Sequence, residues 1–206
     1  MSVFSGWRKR KNSITENPAK PTVPEIVETV GIDETVRNGF ATLCSTHVKD
    51  DAEKEVVFKK GFDDFVQLVR NPQLQCVAIN FAAGELLLGT HLVRLQDNNK
   101  MWRKIGEFII TLNVEMKEYT FQNLTPLTGM EDTGMEQFGT GLYHHPHISE
   151  YGAICMTDGA VQIKTAIADG NLLEACRILL AAVFSANPGQ YPSATVEKWP
   201  LDEIQE

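Results

Sequence analysis

The fold is decided by residues 76–124, which read CVAINFAAGELLLGTHLVRLQDNNKMWRKIGEFIITLNVEMKEYTFQNL. Short apolar runs alternate here with turn-forming residues such as Gly84 and the Asp97-Asn-Asn99 triplet. The predicted strands are 76–81, 86–95, 105–113 and 118–124. Because strands joined by short turns pair with their neighbours in antiparallel order, the stretch predicts a four-stranded antiparallel meander.

The sequence before this stretch has a different period. Apolar residues recur at helical spacing from Asp33 to Arg70, and Asn71-Pro72 ends the second of two predicted helices. Residues 1–30 lack such a pattern and contain a basic cluster and three prolines, which predicts a flexible tail. The basic cluster is more typical of a solvated terminus than of a binding site.

The sequence after the meander predicts a long loop and then a helix. Residues 126–142 are rich in Gly, Thr and Met and have no clear period. Asn171 is placed to cap a helix that Asn187-Pro188-Gly189 would end. The apolar face of this helix is predicted to contain Leu172, Cys176, Leu179 and Val183. The chain is therefore predicted to be an α+β domain with helices packed on one face of the antiparallel sheet and a helical N-terminal extension. The predicted divisions are a tail at 1–30, a helical extension at 31–72 and the main domain at 73–206.

Charge and hydropathy exclude several classes of partner. The chain has 206 residues with 27 acidic and 19 basic side chains, a formal net charge of −8, which repels phosphate backbones and makes nucleic acid an unfavourable partner. No apolar run reaches the roughly 18 residues of a membrane helix, and no apolar segment follows the basic start as in a secretory signal. We expect a soluble, cytoplasmic protein with no membrane partner.

Four widely spaced cysteines, with no C-x-x-C pair, predict free thiols in place of a disulfide framework or a structural zinc site. Cys76 and Cys176 lie in apolar patterns and are predicted to be core residues, whereas Cys44 carries no signal of a partner. His91, within an apolar run, is predicted to be hydrogen-bonded in or beside the core.

Chemistry is concentrated in residues 144–155, HHPHISEYGAIC. Three imidazoles precede Cys155, and Gly152 permits a tight turn before it. A nearby imidazolium or hydrogen-bond donor favours the thiolate form of cysteine, which is the reactive nucleophile. Cys155 is therefore the predicted nucleophile.

This segment resembles the active-site strip of ubiquitin-conjugating enzymes. In that family a His-Pro-Asn triplet precedes Gly-x-Ile-Cys, and the cysteine follows the histidine by ten positions. Here His145 and Cys155 are ten positions apart, and His147 stands where the family has asparagine. The resemblance covers about residues 75–192. The chain resembles the divergent prokaryotic or phage-type members more than the eukaryotic enzymes. It differs from the eukaryotic enzymes in the replaced asparagine, the missing Pro-rich strip and the two N-terminal helices.

The resemblance implies a ubiquitin-conjugating fold and a role for each matching residue. Cys155 would carry a ubiquitin-like C-terminus as a thioester and pass it to an amine. His147 would support the oxyanion and the loop, and His145 with Pro146 would form the scaffold. Asp158, only three residues beyond the cysteine, is a candidate for lowering the pKa of an attacking lysine. The implied partners are a ubiquitin-like protein and its activating enzyme, with no cofactor and no metal.

Three other interpretations remain open from the sequence. His144, His145, His147 and Cys155 are ligand types that bind zinc, although their spacing matches no recognised site. The chain could also be a thiol hydrolase that uses Cys155 and a histidine. The main alternative is a non-catalytic binding or assembly module on the same fold, possibly of a mobile element or phage.

Overall fold

The computed structural model describes residues 33–128, 142–143, 145, 148, 159–185, 196–197 and 199–202. Within them the helices are α1 (Glu34–Ser45), α2 (Asp51–Val69), α3 (Gly159–Ala168) and α4 (Leu172–Val183). The strands are β1 (Leu74–Asn80), β2 (Glu85–Thr90), β3 (Val93–Gln96), β4 (Trp102–Gly106), β5 (Phe108–Asn113), β6 (Glu118–Asn123), β7 (Leu127–Thr128) and β8 (Leu142–Tyr143). The predicted tail and most of the predicted loop lie outside the described residues.

The main sheet contains four antiparallel strands in the order β1-β2-β5-β6, which confirms the predicted α+β class. Alternate residues of β2 and β5 point into the core. Leu88 of β2 and Ile110 of β5, which are paired across the two strands, are both fully buried. The opposite face is more open to solvent, as at Cys76 and Ala78. This one-sided burial is typical of an antiparallel sheet that helices cover on one face.

The second and third predicted strands are each divided in two. β2 continues as β3, and β4 continues as β5, after a break in the ladder. Leu88 pairs with Ile110 before the break, and Arg94 pairs with Lys104 after it. The two pairs are separated by six residues in both strands, from 88 to 94 in one and from 110 to 104 in the other. The two strands therefore regain their register beyond the break, and β3 with β4 forms a separate two-stranded hairpin.

The break is fixed by Gly106 and Asn123. Gly106 has a φ of 149°, and a Cβ there would overlap the Asn123 amide. The buried Asn123 side chain donates to the Ile105 carbonyl (3.2 Å) and accepts the Thr125 N–H (2.8 Å). A side chain at position 106 would have to displace this amide, so the bend requires glycine.

Two predictions about single residues are wrong, and both errors follow from the sheet. His91 is exposed because β2 ends at Thr90, so the alternation that would have turned its side chain inward is interrupted. Cys76 is exposed because it lies opposite Gly89 on the sheet face that the helices do not cover. An apolar run of sequence does not show which of its residues face the covered side.

Helices α1 and α2 form a hairpin against the sheet and α4. Asp33 and Asp50 cap their N-termini by accepting the N–H groups of Thr35 (2.8 Å) and Glu53 (2.9 Å). Gly61 allows α2 to approach α1 closely, because a Cβ at this position would lie 2.7 Å from the Ala41 Cα. None of the helices in the described ranges has the length and apolar character needed to cross a bilayer.

Helix α4 supplies much of the core, and its predicted apolar face is confirmed. Its buried residues are Leu172, Leu173, Ala175, Cys176, Leu179, Leu180 and Val183. Asn171 precedes the helix as predicted, but its side chain makes no capping hydrogen bond. The helix is stabilised mainly by tertiary burial, which contributes about 25 cal/mol per Å² of apolar surface.

Residues 199–202 pair with the edge of β4. The Lys104 N–H donates to the Pro200 carbonyl (2.9 Å), and the Asp202 N–H donates to the Trp102 carbonyl (2.9 Å). Trp199, at the start of the segment, is 1% exposed. The end of the described chain therefore behaves as an added strand that carries one large aromatic side chain into the core.

Two buried carboxylates fix this arrangement. The Asp97 side chain accepts hydrogen bonds from the Arg103 Nη2 (2.7 Å) and from the backbone N–H groups of Asn99 and Met101. Burial by itself raises the pKa of Asp97, but these hydrogen bonds together lower it below its usual value of 3.8. The Arg103 guanidinium also donates to the Trp199 carbonyl (3.0 Å), which links the hairpin to the C-terminal segment.

Asp202 forms the second buried site. Its carboxylate pairs with the Arg94 guanidinium and with the Lys104 ammonium (3.1 Å), and only 6% of its side chain is exposed. Burial raises the pKa of Asp202, but the hydrogen bonds from the two cations lower it below 3.8. Both carboxylates therefore favour the folded state when they are ionised.

We predict that the stabilisation from Asp202 is lost in acid. A carboxylate whose folded-state pKa lies below its unfolded value stabilises the fold fully above about pH 4 and loses this contribution as the pH falls through the lowered pKa. Urea midpoints of the unaltered protein and Asp202→Asn should therefore differ at about pH 6 and converge towards about pH 2.5. A difference that stays constant over this range would contradict the prediction.

We predict that Gly106→Ala destabilises the protein more than Gly84→Ala. Alanine at position 106 would have an unfavourable φ and would also overlap the anchored Asn123 amide, at a combined cost of about 2–4 kcal/mol. Gly84 has a φ of 62°, but a Cβ there meets only the Glu115 side chain, so about 1 kcal/mol is expected. Urea denaturation measures both free energies of unfolding, and equal losses would overturn this account of the bend.

Candidate functional site

His145 lies between the main sheet and the end of α4. Its Nε2 is 2.9 Å from the Val183 carbonyl oxygen, and the residue is 2% exposed. Because the partner is a carbonyl, Nε2 must carry the hydrogen and donate it. The last turn of a helix has carbonyl groups without intrahelical partners, and this bond satisfies one of them.

Phe108 fixes the other side of the His145 ring. The two ring centroids are 5.6 Å apart and the rings meet edge to face at 83°, a favourable aromatic geometry. Phe108 is the first residue of β5, and its N–H donates to the Thr90 hydroxyl at 3.0 Å. This bond replaces a ladder hydrogen bond at the break in the sheet, so the bend determines where the Phe108 ring lies.

Ile148 is joined to His145 by a backbone hydrogen bond. The Ile148 N–H donates to the His145 carbonyl (3.3 Å), and Ile148 is also buried. His145 and Ile148 are therefore both anchored in the core.

The other predicted site residues fall outside the described part of the chain. These residues are Pro146, His147, Cys155 and Asp158. Of the four residues considered as zinc ligands, only His145 is described, and the described residues contain no group of three potential ligands that could hold a metal ion. The structure thus gives the environment of His145, and the roles of His147, Cys155 and Asp158 stay predictions.

Two of the other cysteines are unsuited to nucleophilic chemistry. Cys44 and Cys176 are both buried. Burial, and then the Asp64 carboxylate, raises the pKa of the Cys44 thiol to about 12. Burial, and then the neighbouring Cys44, raises the pKa of Cys176 well above its usual range. These thiols stay protonated at neutral pH, where only a thiolate reacts readily.

Cys76 is the exposed thiol among the described cysteines. Partial desolvation beside Gly89 raises its pKa, so it is accessible but a weaker nucleophile than an unperturbed cysteine. The three described thiols therefore include two protected ones and one accessible one.

The residues that hold His145 were not among the predicted site residues. Phe108, Thr90 and Val183 were treated as ordinary strand and helix residues. The available signal was Gly106 directly before an alternating apolar run, because a glycine inside a strand pattern indicates a bulge or a close approach of backbone. The contact between Val183 and His145 spans 38 residues and has no local signal.

Comparisons of this chain with protein-family models, with curated proteins and with solved structures found no match. Any functional proposal must therefore be supported by the residues and geometry of the chain itself.

We predict that His145→Phe destabilises the protein by about 1–3 kcal/mol. Phenylalanine keeps a ring beside Phe108 but leaves the buried Val183 carbonyl without its donor, and an unsatisfied buried acceptor has a cost of this size. His91→Phe is the matched control, because His91 is exposed and should change stability by less than about 0.5 kcal/mol. Urea denaturation measures both, and equal effects would show that the buried bond contributes nothing.

Proposed function

We propose that this protein is a thioester-forming carrier of the ubiquitin-conjugating type, with Cys155 as its nucleophile. The observation that carries the proposal is the fixed position of His145, ten residues before Cys155. The chain order also supports it, because a four-stranded antiparallel sheet precedes His145 and two helices follow Cys155. The partners would be a ubiquitin-like protein and its activating enzyme, and no metal or organic cofactor is required.

The geometry supports a scaffold role for His145. Its Nε2 hydrogen is donated to the Val183 carbonyl and the ring is almost completely buried. A general base must reach the proton that it removes, within about 3 Å or through one water. A ring held in this way is suited to anchoring the chain beside Val183, which disfavours a thiol hydrolase that uses His145 as its base.

The proposed reaction has two balanced acyl transfers. The Cys155 thiolate attacks the thioester carbonyl of the activated partner, a new C–S bond forms, and the activating enzyme leaves as a thiolate. An amine then attacks the new thioester, an amide bond forms, and Cys155 is released as a thiolate while the amine proton passes to solvent or base. In this proposal His147 supports the oxyanion, and Asp158, the candidate for acting on the attacking amine, orients it and accepts its proton.

We predict that the unaltered protein accepts an acyl group from a synthetic peptide thioester at Cys155. Intact mass spectrometry should show one added peptide acyl group, which excess dithiothreitol removes because thioesters exchange with thiols. Cys155→Ala should show no such adduct, and Cys155→Ser should form at most an ester that resists dithiothreitol. Cys76→Ala is the matched control and should retain the adduct, because it removes the exposed thiol on the sheet and leaves Cys155 intact.

Alkylation by iodoacetamide across pH provides the second readout. Cys44 and Cys176 should stay unlabelled in the native protein, and Cys76 should label slowly at neutral pH and faster as the pH rises. Cys155 should label faster than Cys76 at neutral pH. If Cys155 is protected to the same degree as Cys176, the carrier function is excluded and the non-catalytic binding or assembly module becomes the better account.

A further inference from the structure

The hairpin of β3 and β4 exposes an aromatic side chain and cationic side chains on one face. Arg94 pairs with Lys104, and Gln96 pairs with Trp102, so these four side chains share a face. All four residues are exposed, and Trp102 keeps 44% of its surface in contact with solvent. Tryptophan is largely buried in most folded proteins, and exposed Trp and Arg side chains are enriched at binding hot spots.

The same face carries a local positive charge. Arg94 and Lys104 face each other, and like charges placed directly opposite repel. Asp202 lies between them, but its single carboxylate neutralises only one of the two charges and is itself almost fully buried. Lys100, exposed in the connecting turn, adds a further cation. Glu197, which accepts a hydrogen bond from Asn99 in the same turn (3.4 Å), offsets it, so the net positive charge comes from Arg94 and Lys104. The surface is therefore cationic within a chain whose formal net charge is −8.

We propose that this face binds an acidic peptide segment of a protein partner. The face consists of Arg94, Gln96, Trp102 and Lys104, and with Lys100 in the adjoining turn it is called the hairpin face below. The carboxylates of the segment would pair with the cations, and a large apolar side chain of the segment would pack on the Trp102 ring. The surface runs across β3, β4 and residues 199–202, a width of two strand spacings or about 10 Å. An extended peptide of three or four residues has about this length.

Charge favours a short acidic peptide over a nucleic acid. At physiological ionic strength electrostatic attraction extends only about 8 Å, so a short segment interacts mainly with the hairpin face. A nucleic-acid strand would continue beyond this face and bring further phosphates near a chain with a net charge of −8. The proposal goes beyond the proposed thioester chemistry, because none of its residues belongs to the 144–155 segment.

The test is fluorescence anisotropy with a labelled peptide of alternating Asp and Glu around a central leucine. The comparison probes are the same peptide with lysine at every acidic position and a single-stranded oligothymidylate of equal charge. We expect the acidic peptide to bind and its affinity to fall as salt is added. Trp102→Ala should weaken binding about tenfold, and Lys100→Glu should weaken it by a similar factor.

Matched controls separate this face from the rest of the surface. Met116→Ala removes an exposed apolar side chain in the turn between β5 and β6, and Lys54→Glu makes the same charge change in α2. Both should keep the affinity within about twofold of the unaltered protein. Cys155→Ala should also bind normally, so failure of the thioester chemistry and failure of peptide binding are distinguishable.

Several results would overturn the proposal. The acidic peptide could fail to bind, or the lysine peptide could bind as tightly as the acidic one. The control variants could also weaken binding as much as Trp102→Ala and Lys100→Glu do. Tighter binding of oligothymidylate than of the acidic peptide would assign the face to nucleic acid and overturn the peptide as its occupant.

Discussion

The amide of Asn123 fills the space that a side chain at position 106 would need, and the shape of the sheet depends on this contact. Asn123 holds the Ile105 carbonyl and the Thr125 N–H at the point where the β2–β5 ladder is interrupted. Directly after the bend, Phe108 starts β5 and presents its ring to His145. A buried amide in one strand therefore sets the position of a histidine that follows it by more than 20 residues.

The general architecture could be predicted because it follows from local patterns. Alternating apolar residues and turn signals indicated four strands, and helical spacing indicated α1, α2 and the apolar face of α4. The division of two strands could not be predicted, because it depends on contacts between Gly106 and Asn123, 17 residues apart (123 − 106). The exposure of His91 and Cys76 was missed for a related reason, since face and register are set by pairing and not by the run itself.

Within the candidate site, the sequence identified residue types and left their environment undetermined. The pattern around His145 suggested a scaffold histidine through a family resemblance, and the structure gives it a buried bond to Val183. The residues that complete this environment come from β5 and α4, which no local motif connects. For the same reason the sequence could not separate the protected thiols of Cys44 and Cys176 from the accessible Cys76.

The part of the chain after His145 is hydrogen-bonded at two places, to His145 itself and to β4. Val183, at the end of α4, accepts the His145 hydrogen bond beside Phe108, and residues 199–202 pair with β4. The first contact is a hydrogen bond in the core, whereas the second is held by the ion pairs of Asp97 and Asp202. Protonation of these carboxylates acts directly on the second contact and not on the first. A change at Asp97 or Asp202 therefore acts on the hairpin and not on the bond between His145 and Val183, so the binding proposed at the hairpin face can be perturbed separately from the chemistry proposed at Cys155.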